Sequence, residues 1–186
     1  MGMESINIHL AELGGWRALL SKAEFVAKTE LDGALEEYVL RLLFKTSRRS
    51  AEPTLSSINE GLNAAHDLPA DDFRAIGDHC LLYAGLFPEH AVRRNLPITY
   101  YVTVGESAYA EYVRYTDDPI FGMLSTFFVD IVDVLIALRQ IDDQQVIMDP
   151  INAYHLWRDT GSVAAWKALS RHSSSLPGIS VSTAIN

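Results

Sequence analysis

Along almost the whole chain apolar residues return every three or four positions, the period of an α-helix that buries one face, and no stretch alternates as a half-buried strand would. Residues 5–28 predict one or two short helices, interrupted near Gly14 and Gly15. Thr29-Glu30-Leu31-Asp32 has the form of an N-cap with an acidic first turn, and the helix it opens sets Leu31, Leu35, Tyr38, Leu42 and Leu43 on one stripe. A further helix is expected over about 54–66. Asp71 caps one over 72–84, where Gly85 suits a left-handed C-cap and Pro88 the first position of a following turn. Tyr101, Gly105, Ala108, Tyr112 and Tyr115 form the stripe of a helix over 99–115. Gly105 and Ala108 in mid-stripe predict close approach by another helix.

Asp117-Asp118-Pro119 starts a helix to about Gln140 that carries the longest apolar run, Pro119 to Leu138. A helix apolar on nearly all sides belongs at the centre of a bundle. Asp149-Pro150 starts the next helix, which Gly161 ends, and Ser162 caps a last one to about His172. The expected architecture is a single all-α domain over residues 1–176. Six to eight helices surround a central helix at 119–140, with the 30–46, 72–84 and 99–115 helices against it. Residues 177–186 lack periodicity and are read as a loose tail.

Composition narrows the setting. The 186 residues are 48% apolar, which fits one globular domain with a proper core. A net charge of −9 opposes nucleic acid and anionic membranes as partners. The basic run at Lys45–Arg49 and the pair Arg93-Arg94 fit helix C-termini. A single cysteine excludes an internal disulfide framework and a multi-cysteine zinc site, which makes a reducing, cytoplasmic setting the expectation. No signal peptide is recognised, because Glu4 and Glu12 interrupt the first twenty residues. Asp130 and Asp133 within 119–138 would cost roughly 5–7 kcal/mol in a bilayer, so that run reads as a buried helix and not a span.

Ionisable and aromatic groups concentrate between residues 71 and 109: Asp78, His79, Cys80, Tyr83, Glu89, His90, Tyr100, Tyr101 and Glu106. Asp130 and Asp133, three apart on a helix, project to one side. They could share a proton or hold a divalent cation. Alternatively each caps a neighbouring helix or meets an arginine such as Arg74, Arg114 or Arg139, as buried charges usually do. Asp78, His79 and Cys80 are adjacent on a helix and point about 100° apart, so neither a chelate nor a Cys–His nucleophile pair forms among them. Cys80 reads as a small core residue. Arg74 and Asp78 stand four apart. The tyrosines at 100, 101, 109, 112 and 115 suit a pocket, a core edge or a dimer face. Gly105-Glu106-Ser107 lacks the second glycine and the strand of a nucleophile elbow. His66-Asp67 lacks the further histidines of a helical phosphohydrolase. The Glu-x-x-His pairs of di-iron bundles are absent too.

Two blocks, Gly77-Asp78-His79-Cys80-Leu81-Leu82-Tyr83-Ala84-Gly85-Leu86-Phe87-Pro88 and Tyr100-Tyr101-x-x-x-Gly105-x-x-Ala108-Tyr109, resemble those of an uncharacterised family of bacterial proteins. Leu35 to Leu43, Tyr154-x-x-Trp157 and Gly161-Ser162 extend the likeness over most of residues 30–170. The resemblance implies a small, cytoplasmic, all-helical bacterial protein, and it brings no activity and no functional residues.

Two functions follow as expectations. The first is a non-enzymatic interaction or scaffold protein, a candidate homodimer with an aromatic face. The alternative is a small-molecule- or metal-binding protein, with enzymatic action open. Its pocket would gather Asp78, His79, Tyr83, Tyr101, Glu106, Asp130 and Asp133 between the 72–84, 99–115 and 119–140 helices. No catalytic residue, metal ligand or cofactor is assigned.

Overall fold

The protein is described from a computed structural model, covering residues 2–47, 69–88, 93–94, 96–142 and 148–173. The helix expected over 54–66, the His66-Asp67 dipeptide, Glu89, His90 and the 177–186 tail lie outside these residues. Among the described residues there are eight helices and no strand: α1 (Gly2–Ala27), α2 (Gly33–Ser47), α3 (Ala70–Gly85), α4 (Ile98–Thr116), α5 (Pro119–Thr126), α6 (Phe128–Asp142), α7 (Pro150–Thr160) and α8 (Val163–Ser173). The all-α bundle expected from periodicity is the fold observed.

At its centre lies α6, where every residue from Ile131 to Leu138 is buried. Around it pack α1, α3 and α8, while α3 and α4 share the most extensive helix–helix contact in the molecule. The 30–46 segment, α2, does not occupy the central position expected of it. It lies chiefly on α1 and α5, and α1 takes the place alongside α6. Leu20, Ala23 and Ala27 make that contact possible, being buried small or apolar residues at helical spacing.

Three local expectations change. First, α1 runs through Gly14 and Gly15 without a break. Each exposed glycine costs about 1 kcal/mol against alanine, and packing of the following turns overrides that preference. Second, Asp32 and not Thr29 begins α2, with its Oδ1 accepting from the Ala34 N–H at 2.9 Å. Third, the 119–140 run is not one rod. It bends by 70° at Phe127 into α5 and α6. No proline stands at the bend. Thr126 Oγ1 instead donates to the Gly122 carbonyl at 2.9 Å, and Ser125 Oγ donates to the Glu106 carbonyl on α4 at 2.9 Å. Such hydroxyls compete with the helix for its carbonyls and bend it. The turn lets Phe128 point at Gly105, where an added Cβ would stand 2.3 Å from the Phe128 ring.

Gly85 also works differently from the C-cap expected of it. It lies inside α3, and the cap residue Leu86 is right-handed. A Cβ at Gly85 would meet Leu135 Cβ at 2.4 Å, so its smallness is needed for α3 to close on α6. Gly161 fulfils its reading, with φ at 75° at the C-cap of α7. Among the described residues no single helix is long and apolar enough to cross a membrane.

Candidate functional site

Asp78 on α3 is the organising group. It retains only 7% exposure, a carboxylate on the stretch of α3 from Ile76 to Gly85 that is almost wholly core. Two phenols from different helices answer it on the same oxygen. Tyr38 of α2 donates to Asp78 Oδ1 at 2.6 Å, and Tyr109 of α4 donates to it at 2.9 Å. Oδ2 accepts no hydrogen bond from the described residues.

Local packing explains how the two phenols converge. Gly77 has no side chain, and a Cβ there would stand 2.5 Å from Tyr109 Cε1. The Tyr109 ring therefore lies flat across α3 at that point, which brings its hydroxyl to the next residue, Asp78. On the other side Tyr38 meets Tyr109 edge-on at 6.3 Å and Phe121 of α5 edge-on at 5.8 Å. Phe121 in turn takes the edge of Tyr112 at 4.4 Å. Edge-to-face contacts at these distances hold rings in fixed orientations.

The electrostatics follow from burial. Desolvation lifts the Asp78 carboxyl above its ordinary value, and the bonds from Tyr38 and Tyr109, with Arg74 and Lys45 further off, only partly oppose it. Burial likewise raises both phenols, Tyr109 most strongly, and the adjacent carboxylate adds to the effect. Both tyrosines are thus fixed as proton donors. Arg74 does not close the i,i+4 ion pair that its spacing suggested. Its guanidinium lies over the rings of Tyr38 at 5.8 Å and Phe121 at 6.0 Å.

These residues wall a cleft of about 560 Å³ between α2, α3, α4 and α5, with Asp78, Tyr38, Arg74, Tyr112 and Phe121 along it and Arg41 and Lys45 at its edge. Arg41 is held by Glu37 at 2.9 Å, and Glu37 also takes Arg17 at 3.2 Å. The volume falls in the range of small-molecule sites.

Of the seven residues expected to converge, only Asp78 reaches this cleft. Tyr83 and Tyr101 pair with each other, ring centroids 5.7 Å apart, in the core between α3 and α4. The Tyr101 hydroxyl is fully buried and has no hydrogen-bond partner among the described residues. His79 is half-buried on α3, and Glu106 is half-buried with its carboxyl raised by desolvation; neither lines the cleft. Asp130 is exposed in the first turn of α6.

Asp133 is 3% exposed and engages α8 instead. It accepts from Ser162 Oγ at 2.5 Å, from the Val163 N–H at 2.7 Å and from the Ala164 N–H at 3.2 Å. Asp130 and Asp133 therefore make no joint site, and Asp133 caps a neighbouring helix. Among the described residues no three His, Cys, Asp or Glu side chains stand together as a metal site would need. Cys80 is buried, with its thiol pushed up to about 12, so it stays protonated and unreactive.

Tyr38 and Phe121 are the site residues that sequence reasoning passed over. Tyr38 sat on an otherwise aliphatic stripe, where a hydroxyl facing the core calls for a polar partner. Of the α4 tyrosines, Tyr101, Tyr109 and Tyr112 are core, Tyr100 is half-buried, and Tyr115 is exposed and stacks on Phe73.

Comparison with models of known families, with curated proteins and with solved structures finds no match to this chain. The GLFP and YY blocks therefore speak through their geometry. They are the two faces of the α3–α4 contact: Gly77 against Tyr109, Gly105 against Cys80 and Phe128, and Asp78 bonded to Tyr109.

Proposed function

We propose that this protein binds a small organic molecule in the cleft between α2, α3, α4 and α5. One observation carries the reading. A carboxylate buried on a core helix keeps one oxygen open towards a cleft of ligand size, and its other oxygen is fixed by two phenols. The free oxygen is left to solvent in the cleft, where a donor on a ligand can take the place of water. The setting expected for this binding is cytoplasmic.

The test is a broad fragment screen by amide NMR on the whole chain. Shifts clustered on Tyr38, Arg74, Tyr112 and Phe121, lost in Asp78→Asn, support the reading. Fragments that bind only elsewhere, or no binding at millimolar concentration, sink it.

A second reading, the homodimer, is favoured by a separate observation. On α7 and α8, Trp157 and Trp166 are 37% and 50% exposed and lie against each other at 4.9 Å, with Tyr154, Ile151 and Val163 exposed nearby. Exposed aromatics of this kind are enriched in interfaces. Light scattering that finds a monomer at high micromolar concentration refutes it.

A further inference from the structure

The cleft's chemistry narrows what it takes, and the narrowing rests on the binding function proposed above. We propose that its ligand is an organic cation. A primary ammonium or guanidinium group would meet Asp78 Oδ2, with an apolar body against Phe121 and Tyr112.

Three observations favour a cation over an anion, although Arg41, Lys45 and Arg74 stand at the same cleft. The first is depth. Asp78 is a buried charge, whereas these three cations are exposed and Arg41 is already tied to Glu37. A buried charge is screened least and gains most from a partner of opposite sign. With Asp78 counted, the three bases that line the cleft are matched by three acids, Glu37, Asp78 and Asp118.

The second observation is the unmet oxygen. No ion pair reaches Asp78 from the described residues. Its nearby cation, Arg74, lies over the rings of Tyr38 and Phe121 and favours the carboxylate only across space, without an ion-pair contact. Among the described residues two neutral phenols are the only groups bonded to the carboxylate, and both bond Oδ1. Burial holds the carboxyl above its ordinary value in spite of both phenols, Arg74 and Lys45, so a further positive group brought to it would be accommodated. An incoming N–H⁺ donor supplies what is missing; an incoming carboxylate or phosphate would add a like charge beside it.

The third is the wall. Arg74 already demonstrates that the aromatic faces here accept a cation, since its guanidinium rests over two of them. A ligand with a positive head and an apolar body matches an aspartate set among Tyr38, Tyr112 and Phe121. The chain's net charge of −9 also draws cations to it and repels anions.

The discriminating experiment uses three molecules of one shape: benzylamine, benzyl alcohol and benzoate. Each is titrated by calorimetry and amide NMR into the full chain, its Asp78→Asn variant and an Asp130→Asn control. Benzylamine should bind saturably, at least roughly tenfold more tightly than the other two. Asp78→Asn should weaken it by a similar factor and Asp130→Asn should leave it unchanged. Should Asp78→Asn fail to fold by circular dichroism, nuclear Overhauser contacts from the benzylamine methylene to the Tyr38 and Phe121 rings of the wild type decide the matter. Their presence supports the assignment and their absence overturns it. Benzoate binding as tightly as benzylamine, with shifts at Tyr38 and Phe121, overturns the cation while leaving the cleft a binding site. If none of the three shifts those residues while other fragments in the broad screen do, the cation fails alone. If no fragment of any class does, the binding function fails with it.

Discussion

Asp133→Ala removes the acceptor that joins α6 to the start of α8, and its cost can be worked from three bonds. Ser162 Oγ is 2.5 Å away and buried, and it loses its acceptor outright. The Val163 and Ala164 N–H groups, at 2.7 and 3.2 Å, are only part-buried, so water recovers much of what they lose. A hydrogen bond to a charged group is worth about 1.5–3 kcal/mol and a helix N-cap about 1 kcal/mol. Against this, removing a desolvated carboxylate returns part of its burial penalty. The net expectation is a loss of about 2–4 kcal/mol in urea unfolding at pH 7. For a chain of this length that is a fall of roughly 5–15 °C in melting temperature.

Ser162→Ala isolates the local cap, because Ser162 Oγ also accepts from the Ala165 N–H at 3.0 Å. It should cost about 1 kcal/mol alone. The double variant should lose less than the sum by about 1 kcal/mol, since the two residues share a bond. An Asp133→Ala protein within 0.5 kcal/mol of wild type, or strict additivity with Ser162→Ala, would refute the cross-helix cap.

Further outcomes follow from the same packing. Gly105→Ala places a Cβ 2.3 Å from the Phe128 ring and 2.9 Å from Cys80 Cβ, and should cost about 1–3 kcal/mol by denaturant unfolding. Gly15→Ala meets nothing within 4 Å on α1 and should gain up to about 1 kcal/mol in the same assay. Asp78→Asn keeps an oxygen for both phenols and removes a carboxyl whose folded value is raised. The native state then binds that proton more readily than the unfolded chain. Wild type should therefore lose stability relative to the variant as pH rises from the ordinary aspartate value through the raised one, a trend read from paired urea curves. Glu106 and Asp133 are also raised, but both proteins carry them and they cancel in the difference. Cys80, with its thiol at about 12, should resist a thiol reagent at pH 8 until denaturant unfolds the chain.

Much of this fold was legible in the sequence because helices announce themselves locally. Asp149-Pro150 and Gly161 bound α7 as read, and the small residue at 105 foretold a close helix contact. The bend at Phe127 was hidden because one of the two bonds there, Ser125 to the Glu106 carbonyl, is long-range, and the other, Thr126 to Gly122, is common in unbroken helices. Gly85 deceived for a related reason. Its glycine signature fits a C-cap, but the contact that requires it comes from Leu135, fifty residues away.

The site was half visible. Asp78 was one of seven residues expected to converge, whereas the more conspicuous Asp133 proved to be a cap. Sequence spacing places both inside a helix but cannot say which neighbouring helix each will face. Tyr38 and Phe121 come to Asp78 only through tertiary packing, from 40 and 43 positions away.

The claim on which the rest depends is that Asp78 is a buried carboxylate awaiting positive charge. Its side-chain carboxyl carbon, assigned by its absence in Asp78→Asn, can be titrated by ¹³C NMR with and without benzylamine. The expected midpoint lies above the ordinary aspartate value near 3.8 in the free protein and falls when the amine binds. An ordinary midpoint that benzylamine leaves unmoved would contradict the claim.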